Sequence, residues 1–269
     1  MSVNPKDLEP WSISKGQVAH ACNFRFNLKY IKREKGKRIE RPEGRIGSAA
    51  HEFVEDCLKG MAYKTAYKKA VVANRLTRNE TLTLATYKDA VLAFVKRFAA
   101  WRDKLGVSTE DFFIEKEVAF DRETNLTGYW DKNTFFRGKW DIGAIVKRGD
   151  KRYVIVIDHK TGTPPGPTDE DPLSKYKDQL WAYIASAKVL YPDLVGAQAA
   201  IHWMKAEDPE DAIVWGPMIS AEKISQEVMP WFWKYFGDAG NKGVATPIPT
   251  KGWYCGFCEF RYRCPLFRE

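Results

Sequence analysis

Two stretches near the middle of the chain, Gly138-Lys139-Trp140-Asp141 and Val154-Ile155-Val156-Ile157-Asp158-His159-Lys160, carry most of the information in this sequence. The second is an apolar run suited to a buried strand, followed by an acid and a lysine. Because side chains alternate across a strand, Asp158 and Lys160 are expected on one side, where Asp141 can reach them from the neighbouring strand. Two carboxylates can bind a hard divalent cation, and the neighbouring ammonium can interact with a phosphate. These stretches therefore predict a metal-dependent site for phosphate chemistry.

The sequence on either side predicts an α/β core with an irregular C-terminal cap. Helical periodicity covers Ile46–Leu58 and Thr81–Leu105, and returns at Ser174–Leu190 and Ala221–Phe236. Strands are expected at Phe113–Phe120, Lys139–Lys147, Tyr153–Ile157, Ala199–Met204 and Ala212–Trp215. Thr161–Pro172 holds four prolines and two glycines, which predicts a loop. We expect one domain, with a helical part (1–110), an α/β catalytic core (111–236) and a cysteine-rich tail (237–269).

Length and charge restrict the class of protein. The chain has 269 residues, 44% of them hydrophobic, and a net charge of +8 from 43 Lys and Arg against 35 Asp and Glu. That excess favours a polyanionic partner, nucleic acid before an anionic membrane. No apolar run approaches the roughly 18 residues of a membrane span, and Met1–Trp11 is too polar for a signal peptide. We expect a cytoplasmic protein without a membrane partner.

Two residue pairs on predicted helices extend the site. Gly47 and His51 lie in the first helix, where His51 stands at the edge of the apolar stripe and can reach inward as a metal ligand. Gln179 and Tyr183 lie at i and i+4 on one face of the helix after the lysine strand. Each motif alone has a plain structural alternative, such as a strand-capping acid, a solvated lysine, a border histidine or a packing pair.

In their order, Gly47-x3-His51, Gly138-x2-Asp141, Asp158-x-Lys160 and Gln179-x3-Tyr183 resemble the motifs of the RecB-like branch of the PD-(D/E)XK nucleases. The resemblance extends from about Ser12 to the C-terminus. It implies a restriction-endonuclease-like core, a mixed central sheet flanked by helices. It also implies Mg²⁺ or Mn²⁺ at the site, bound by His51, Asp141, Asp158 and the backbone carbonyl of His159. The catalytic residues that it implies are Asp141, Asp158 and Lys160. It implies that Gln179 and Tyr183 position the DNA.

The five cysteines are unevenly placed, with Cys22 and Cys57 near the start and Cys255-x2-Cys258-x5-Cys264 at the end. An odd number argues against a disulfide framework, whereas three close thiols indicate a metal site that needs a fourth ligand. Cys57 lies near the middle of its helix's apolar stripe, as a core thiol would. Cys22 stands among polar residues, so we assign Cys22 to the site.

This cysteine placement resembles the iron–sulfur variants of the same nuclease family, in AddB-type nucleases and in CRISPR-associated exonucleases of spacer acquisition. The resemblance implies a [4Fe–4S] cluster, held by Cys22, Cys255, Cys258 and Cys264, that joins the two ends of the chain. A zinc ion would satisfy the same four thiolates and remains the alternative.

A basic segment near the N-terminus is a candidate for DNA contact. Nine Lys and Arg residues lie between positions 25 and 45, with Phe24, Phe26 and Tyr30 interleaved at the start; they are Arg25, Lys29, Lys32, Arg33, Lys35, Lys37, Arg38, Arg41 and Arg45. A run of charge is more often a solvated face. Beside a nuclease site, however, it can follow a phosphate backbone while aromatic rings stack on bases, without reading the sequence.

These observations together predict a divalent-metal-dependent DNA nuclease, most simply an exonuclease on single-stranded ends, in recombination, repair, phage DNA metabolism or CRISPR adaptation. No Walker A loop is present, so a helicase or recombination protein would be a separate partner. Three alternatives stay open: a non-catalytic DNA-binding or assembly subunit, a redox-responsive regulator that senses through the cluster, and a sequence-specific endonuclease. Glu117 is either an extra acid of the site or, since Glu115 shares its face, solvent-exposed.

Overall fold

The structure, a computed structural model, describes residues 4–37, 41–164, 171–206, 208 and 211–267. Its contacts group them into two compact units that interleave along the chain. The first comprises the described residues of 1–40, 118–138 and 225–269, and the second those of 41–117 and 139–224. The division into a helical part (1–110), a catalytic core (111–236) and a cysteine-rich tail (237–269) therefore stays a prediction. Of the helices within these ranges, none is long and apolar enough to cross a membrane.

Six strands form a mixed sheet, most of which belongs to the second unit. Its strands are β1 (Phe112–Phe120), β2 (Phe136–Arg148), β3 (Lys151–Lys160), β4 (Gly196–Trp203), β5 (Ile213–Trp215) and β6 (Ile219–Ser220). Their order is β1-β2-β3-β4-β5, with β6 also pairing β4. β3 runs antiparallel to β2 and parallel to β4. The apolar residues of β3 are buried between two neighbours, as a continuous apolar run indicates. The mixed α/β fold predicted from the sequence is confirmed.

The helices of the chain are α1 (Ile13–Ala21), α2 (Asn23–Phe26), α3 (Pro42–Leu58), α4 (Tyr63–Ala73), α5 (Arg78–Ala85), α6 (Lys88–Lys104), α7 (Lys177–Leu190), α8 (Ala221–Lys223) and α9 (Met229–Val244). α3 begins with Pro42 in its first turn, where a missing N–H costs nothing, and buries Phe53 and Val54. α7 is the crossover between parallel strands β3 and β4. Trp140 of β2 donates to Ser186 of α7 at 3.0 Å, which ties this helix to the sheet.

The first unit is built around α1, α2 and α9. Gly16 of α1 lies so close to α9 that an added Cβ would stand 2.7 Å from the ring of Tyr235. The buried rings of Trp11 and Phe26 stack with centroids 5.9 Å apart. A substituent at Gly16 would therefore have to displace an aromatic ring of the core.

Several predicted elements differ in detail. The helix expected at Thr81–Leu105 is two helices, α5 and α6, separated by a turn at Thr86 and Tyr87. The helix expected at Ala221–Phe236 starts as α8, passes through a π-turn at Ile224–Val228 and continues as α9. The helices α1 and α4 lie in the part predicted as helical (1–110), but they were not predicted individually. Of the predicted loop Thr161–Pro172, residues 165–170 lie outside the described residues.

Candidate active site

The two acids of the sequence motifs stand opposite each other at the end of one strand pair. The β2–β3 ladder ends with Ile142 paired to Ile157, and Asp141 and Asp158 are the next residue on each strand. The side chain of Asp158 is buried, and that of Asp141 is 14% exposed. Asp141 accepts a hydrogen bond from the backbone N–H of His159 at 2.7 Å. The antiparallel register, which the sequence alone does not fix, thus brings both carboxylates to one place.

Asp158 is the point at which three side chains converge. Gln179 Nε2 and the Tyr183 hydroxyl each donate to Asp158 Oδ1 at 2.7 Å, and they contact each other at the same distance. Lys160 Nζ forms an ion pair with Asp158 Oδ2. The Lys160 ammonium also lies 5.4 Å from the ring centroid of Tyr176, just before α7. The structure therefore brings the lysine and the Gln–Tyr pair to the same carboxylate.

His51 reaches this site from α3, with Nδ1 3.3 Å from Asp141 Oδ2. Burial lowers the pKa of His51, so its imidazole is neutral at pH 7, the form that binds a metal. The pKa of Asp141 is raised well above its ordinary value, first by burial and then by the charge of Asp158. Burial and the same two carboxylates raise the pKa of Tyr183, which stays a phenol and a hydrogen-bond donor.

This donor set fits a hard divalent cation by its chemistry. Two carboxylates that repel each other in a buried place, beside a neutral imidazole, would be stabilised by a positive ion between them. Across the described part of the chain, however, no three His, Cys, Asp or Glu side chains are arranged to hold a metal ion as they stand. The carboxylate oxygens instead contact Lys160, Gln179, Tyr183 and the His159 N–H. The metal-ligand roles, including that of the His159 carbonyl, stay predictions.

A buried histidine pair behind the acids was not predicted. His159 and His202 face each other across the parallel strands β3 and β4, with their Nδ1 atoms 2.8 Å apart. Phe94 of α6 stacks on His202 with ring centroids 4.0 Å apart. Burial is the main cause of the low pKa of both imidazoles, and that of His202 falls to about 3. The sequence signal was a histidine at the same end of each of two apolar strands.

The pKa of His202 predicts acid sensitivity of the fold. With a folded-state pKa of about 3 against 6.5, the unfolded state binds the proton first, so stability is present above pH 6.5 and is lost as pH falls. Between pH 7.5 and 5 this amounts to about 2 kcal/mol. Urea unfolding of wild type and His202→Phe at pH 7.5 and pH 5 measures it. The wild type should lose about 2 kcal/mol more than the variant, and equal losses would contradict the assignment.

Glu115 lies near the site, although the sequence indicated Glu117 and not Glu115 as the possible extra acid. It lines the same cleft as Gly47 and His51, and its carboxylate forms an ion pair with Lys139 Nζ at 2.6 Å. Glu117 is exposed. Of the two acids on β1, it is therefore Glu115 that adds negative charge beside the site.

The four assigned cysteines all belong to the first unit. Cys22, Cys255 and Cys258 lie near enough to Tyr254 that their charges, after burial, raise its pKa. The pKa of Cys258 is raised by burial, and the N–H of Phe260 donates toward its sulfur. Cys22 and Cys264 are buried, and the described thiols are not arranged as a closed metal site. Cys57, as predicted, is part of the hydrophobic core of the second unit.

The cysteine-rich tail is fastened to the N-terminal part of the same unit. The Tyr254 hydroxyl donates to the carbonyl of Ala21, beside Cys22. Further along, Asn23 accepts from the N–H of Ile248 at 2.8 Å, and Arg25 pairs with Glu259 at 2.8 Å. After the end of α9 at Val244, the described part of the tail, up to residue 267, has only short 3-10 turns, as its Gly, Pro and Cys content indicates. Residues far apart in sequence are thus held next to each other by hydrogen bonds and an ion pair.

The basic segment is less available to DNA than its charge count indicates. Arg25 and Lys29 pair with Glu259, and Arg45 pairs with Glu80 at 2.6 Å. Lys32, Arg33 and Lys35 are exposed, whereas Arg38 lies outside the described residues. Phe26 is buried in the core. The predicted DNA contact therefore narrows to the exposed cations Lys32, Arg33, Lys35, Lys37 and Arg41, and Phe26 is not available for stacking.

Comparisons with known proteins bear on the fold and the family of this chain. The fold is similar to that of a protein from Eubacterium rectale described as a "putative exonuclease", with a TM-score of 0.52 at 10% sequence identity, covering 98% of this chain and 91% of that one. The crystal structure of SSO0001 gives a TM-score of 0.32 at 13% identity, over 92% and 96% of the two chains. No curated protein matches the sequence. A family model, the PD-(D/E)XK nuclease superfamily, matches residues 10–265. This chain therefore belongs to the PD-(D/E)XK nuclease superfamily.

Proposed function

We propose that this protein is a divalent-metal-dependent DNA nuclease that hydrolyses phosphodiester bonds, acting as an exonuclease on single-stranded ends. The observation that carries the proposal is the convergence of Lys160, Gln179 and Tyr183 on one buried acid, Asp158, with Asp141 on the adjacent strand. A purely structural acid would not need a second carboxylate beside it, since the two repel each other in a buried place. Such an arrangement costs stability and is typical of a functional site.

His51, Asp141 and Asp158 would hold Mg²⁺ or Mn²⁺, together with the carbonyl of His159. When bound, the ion supplies Lewis-acid activation of the phosphoryl oxygen and of a water molecule. The neutral imidazole of His51 offers a lone pair, and Asp158 is held in orientation by its hydrogen bonds to α7. Gln179 and Tyr183 thus fix a metal ligand, a role compatible with the predicted positioning of site and DNA.

Lys160 supplies the mobile positive charge of the site. Its side chain is 23% exposed, so the ammonium lies at the boundary between Asp158 and solvent. From there it can turn to a phosphate oxygen or orient the attacking water, and so stabilise the charge that develops on the phosphate. Tyr176, in cation–π contact, limits where the ammonium can go.

Preference for DNA ends is tested with end-labelled linear and covalently closed circular single-stranded DNA in Mn²⁺, with Lys160→Ala as a control for contaminating nucleases. An exonuclease shortens the linear strand and leaves the circle intact, because the circle offers no end. Cleavage of both at similar rates would keep the site but make the protein an endonuclease. If neither is cleaved, the non-catalytic DNA-binding subunit replaces this proposal.

For the cysteines we propose a structural [4Fe–4S] cluster on Cys22, Cys255, Cys258 and Cys264. Three of these thiols are grouped around Tyr254, and a backbone N–H points at Cys258, a contact that iron–sulfur sites commonly use. The tail that carries them is already fastened beside Cys22. Zinc on the same thiolates is the alternative that metal analysis distinguishes.

A further inference from the structure

Glu115 of β1 has a backbone conformation that non-glycine residues rarely adopt. Its φ is +55° within a strand. Such outliers cost free energy and persist where the surrounding structure holds them, often at functional sites. A positive φ also interrupts the two-residue alternation of a strand, so Glu115 and Glu117 need not share a face as the sequence indicated. The side chain of Glu115 is 25% exposed, whereas Glu117 is exposed.

Glu115 lines a cleft together with His51, one of the expected metal ligands. This open cleft of about 740 Å³ is lined by Gly47, Ser48, His51 and Glu52 of α3, with Glu115 from β1. Burial has the largest effect on both pKa values, lowering that of His51 and raising that of Asp141. The charge of Glu115 acts upward on both, against burial at His51 and with it at Asp141. Glu115 is therefore close enough to interact electrostatically with two of the expected metal ligands.

A lysine holds the Glu115 carboxylate in this arrangement. Lys139 Nζ lies 2.6 Å from Glu115 Oε2, and the two side chains are 43% and 25% exposed. A pair so open to solvent contributes little to stability and opens readily. Lys139 is thus a cation that competes for the carboxylate with any metal ion in the cleft.

We propose that Glu115 is an additional acid of the metal site, which binds the hydrated cation held by His51, Asp141 and Asp158 and gives up Lys139 to do so. This inference rests on the proposed function, because it requires a metal at those three residues. A carboxylate in the outer shell accepts hydrogen bonds from metal-bound water, and loss of such a partner typically weakens binding about 10–100-fold. The positive φ at Glu115 keeps the side chain at the cleft before the ion arrives.

The test is Mn²⁺ binding by isothermal titration calorimetry, without DNA, for wild type and three variants that each remove one charge. Glu115→Gln should weaken binding about 10-fold. Lys139→Gln removes the competing cation and should tighten it by roughly two- to five-fold, the range that a partly exposed ion pair contributes. Glu117→Gln, an exposed acid two residues along the same strand, should leave binding unchanged. Opposite effects at the two partners separate a metal role from a structural one.

The outcomes also separate this inference from the proposed function. If wild type binds Mn²⁺ and Asp158→Asn does not, the metal site stands. Within that result, binding by Glu115→Gln equal to wild type, or weakened binding by both Glu115→Gln and Lys139→Gln, would overturn the role of Glu115 alone. If wild type binds no Mn²⁺, or Asp158→Asn binds it equally well, the metal site of the proposed function is wrong. The role of Glu115 is then wrong as well, because it requires that site.

Discussion

Replacing Lys160 by alanine is expected to lower the rate of DNA cleavage by about 10²–10³-fold, the loss typical of removing one preorganised charge from a transition state. Lys160 faces Asp158 and the ring of Tyr176, and the described site offers no second lysine in contact with Asp158. Initial rates on end-labelled single-stranded DNA at saturating Mn²⁺ measure the effect. Because the ammonium acts on phosphate or water, the loss should appear in kcat more than in KM.

The matched control is Lys151→Ala at the opposite end of the same strand. Lys151 is exposed and its backbone pairs with Arg148, far along β3 from the acids. This variant should cleave at the wild-type rate. Mn²⁺ binding and the melting temperature of Lys160→Ala show whether it is folded, since removing Lys160 leaves the buried Asp158 without its ion-pair partner. A folded, Mn²⁺-binding Lys160→Ala protein with near wild-type activity would remove the lysine from the mechanism.

The parts of the site that sequence predicted are those that depend on local pattern. An apolar run that ends in Asp158 predicts a buried strand with its functional residues at one end, and β3 has that form. The i, i+4 spacing of Gln179 and Tyr183 predicts a shared helix face, and both contact Asp158. Each of these statements needs only the period of one element, which the sequence carries directly.

The features that the sequence did not predict depend on how helices and strands pair in space. His159 meets His202 only because β3 and β4 are parallel in a register set by the α7 crossover, which no local pattern encodes. Glu115 departs from strand alternation through a positive φ that a glutamate does not signal. The sequence places Phe26 among basic residues, as expected of a ring that stacks on DNA bases, yet Phe26 packs on Trp11 in the core. Sequence-level charge counts likewise do not show which cations pair with Glu259 or Glu80.

The second large effect is expected at the cysteines. Protein purified without oxygen should contain about four iron and four sulfide per chain, and Cys258→Ala should lose most of both. Because structural metal sites contribute directly to folding, the variant should melt about 10–20 °C lower, as a loss of several kcal/mol implies for a chain of this size. Burial raises the pKa of Cys258 most, and the charge of Cys22 adds to it, so the two thiols interact electrostatically although they lie near opposite ends of the chain.

Cys57→Ala is the matched control, because it also removes one buried thiol. Cys57 is 8% exposed in the core of the second unit, and burial, with the charge of Asp56, raises its pKa to about 11, so its thiol stays protonated and inert. The Cys57→Ala variant should keep the full iron content, and its free energy of unfolding should fall only by the small amount that a filled core position contributes. One zinc per chain in place of iron, lost in Cys258→Ala alone, would keep the site and replace the cofactor. Equal metal content in wild type and both variants would show that these thiols hold no metal, and the tail would then be held to the N-terminal part by hydrogen bonds and ion pairs such as Arg25–Glu259.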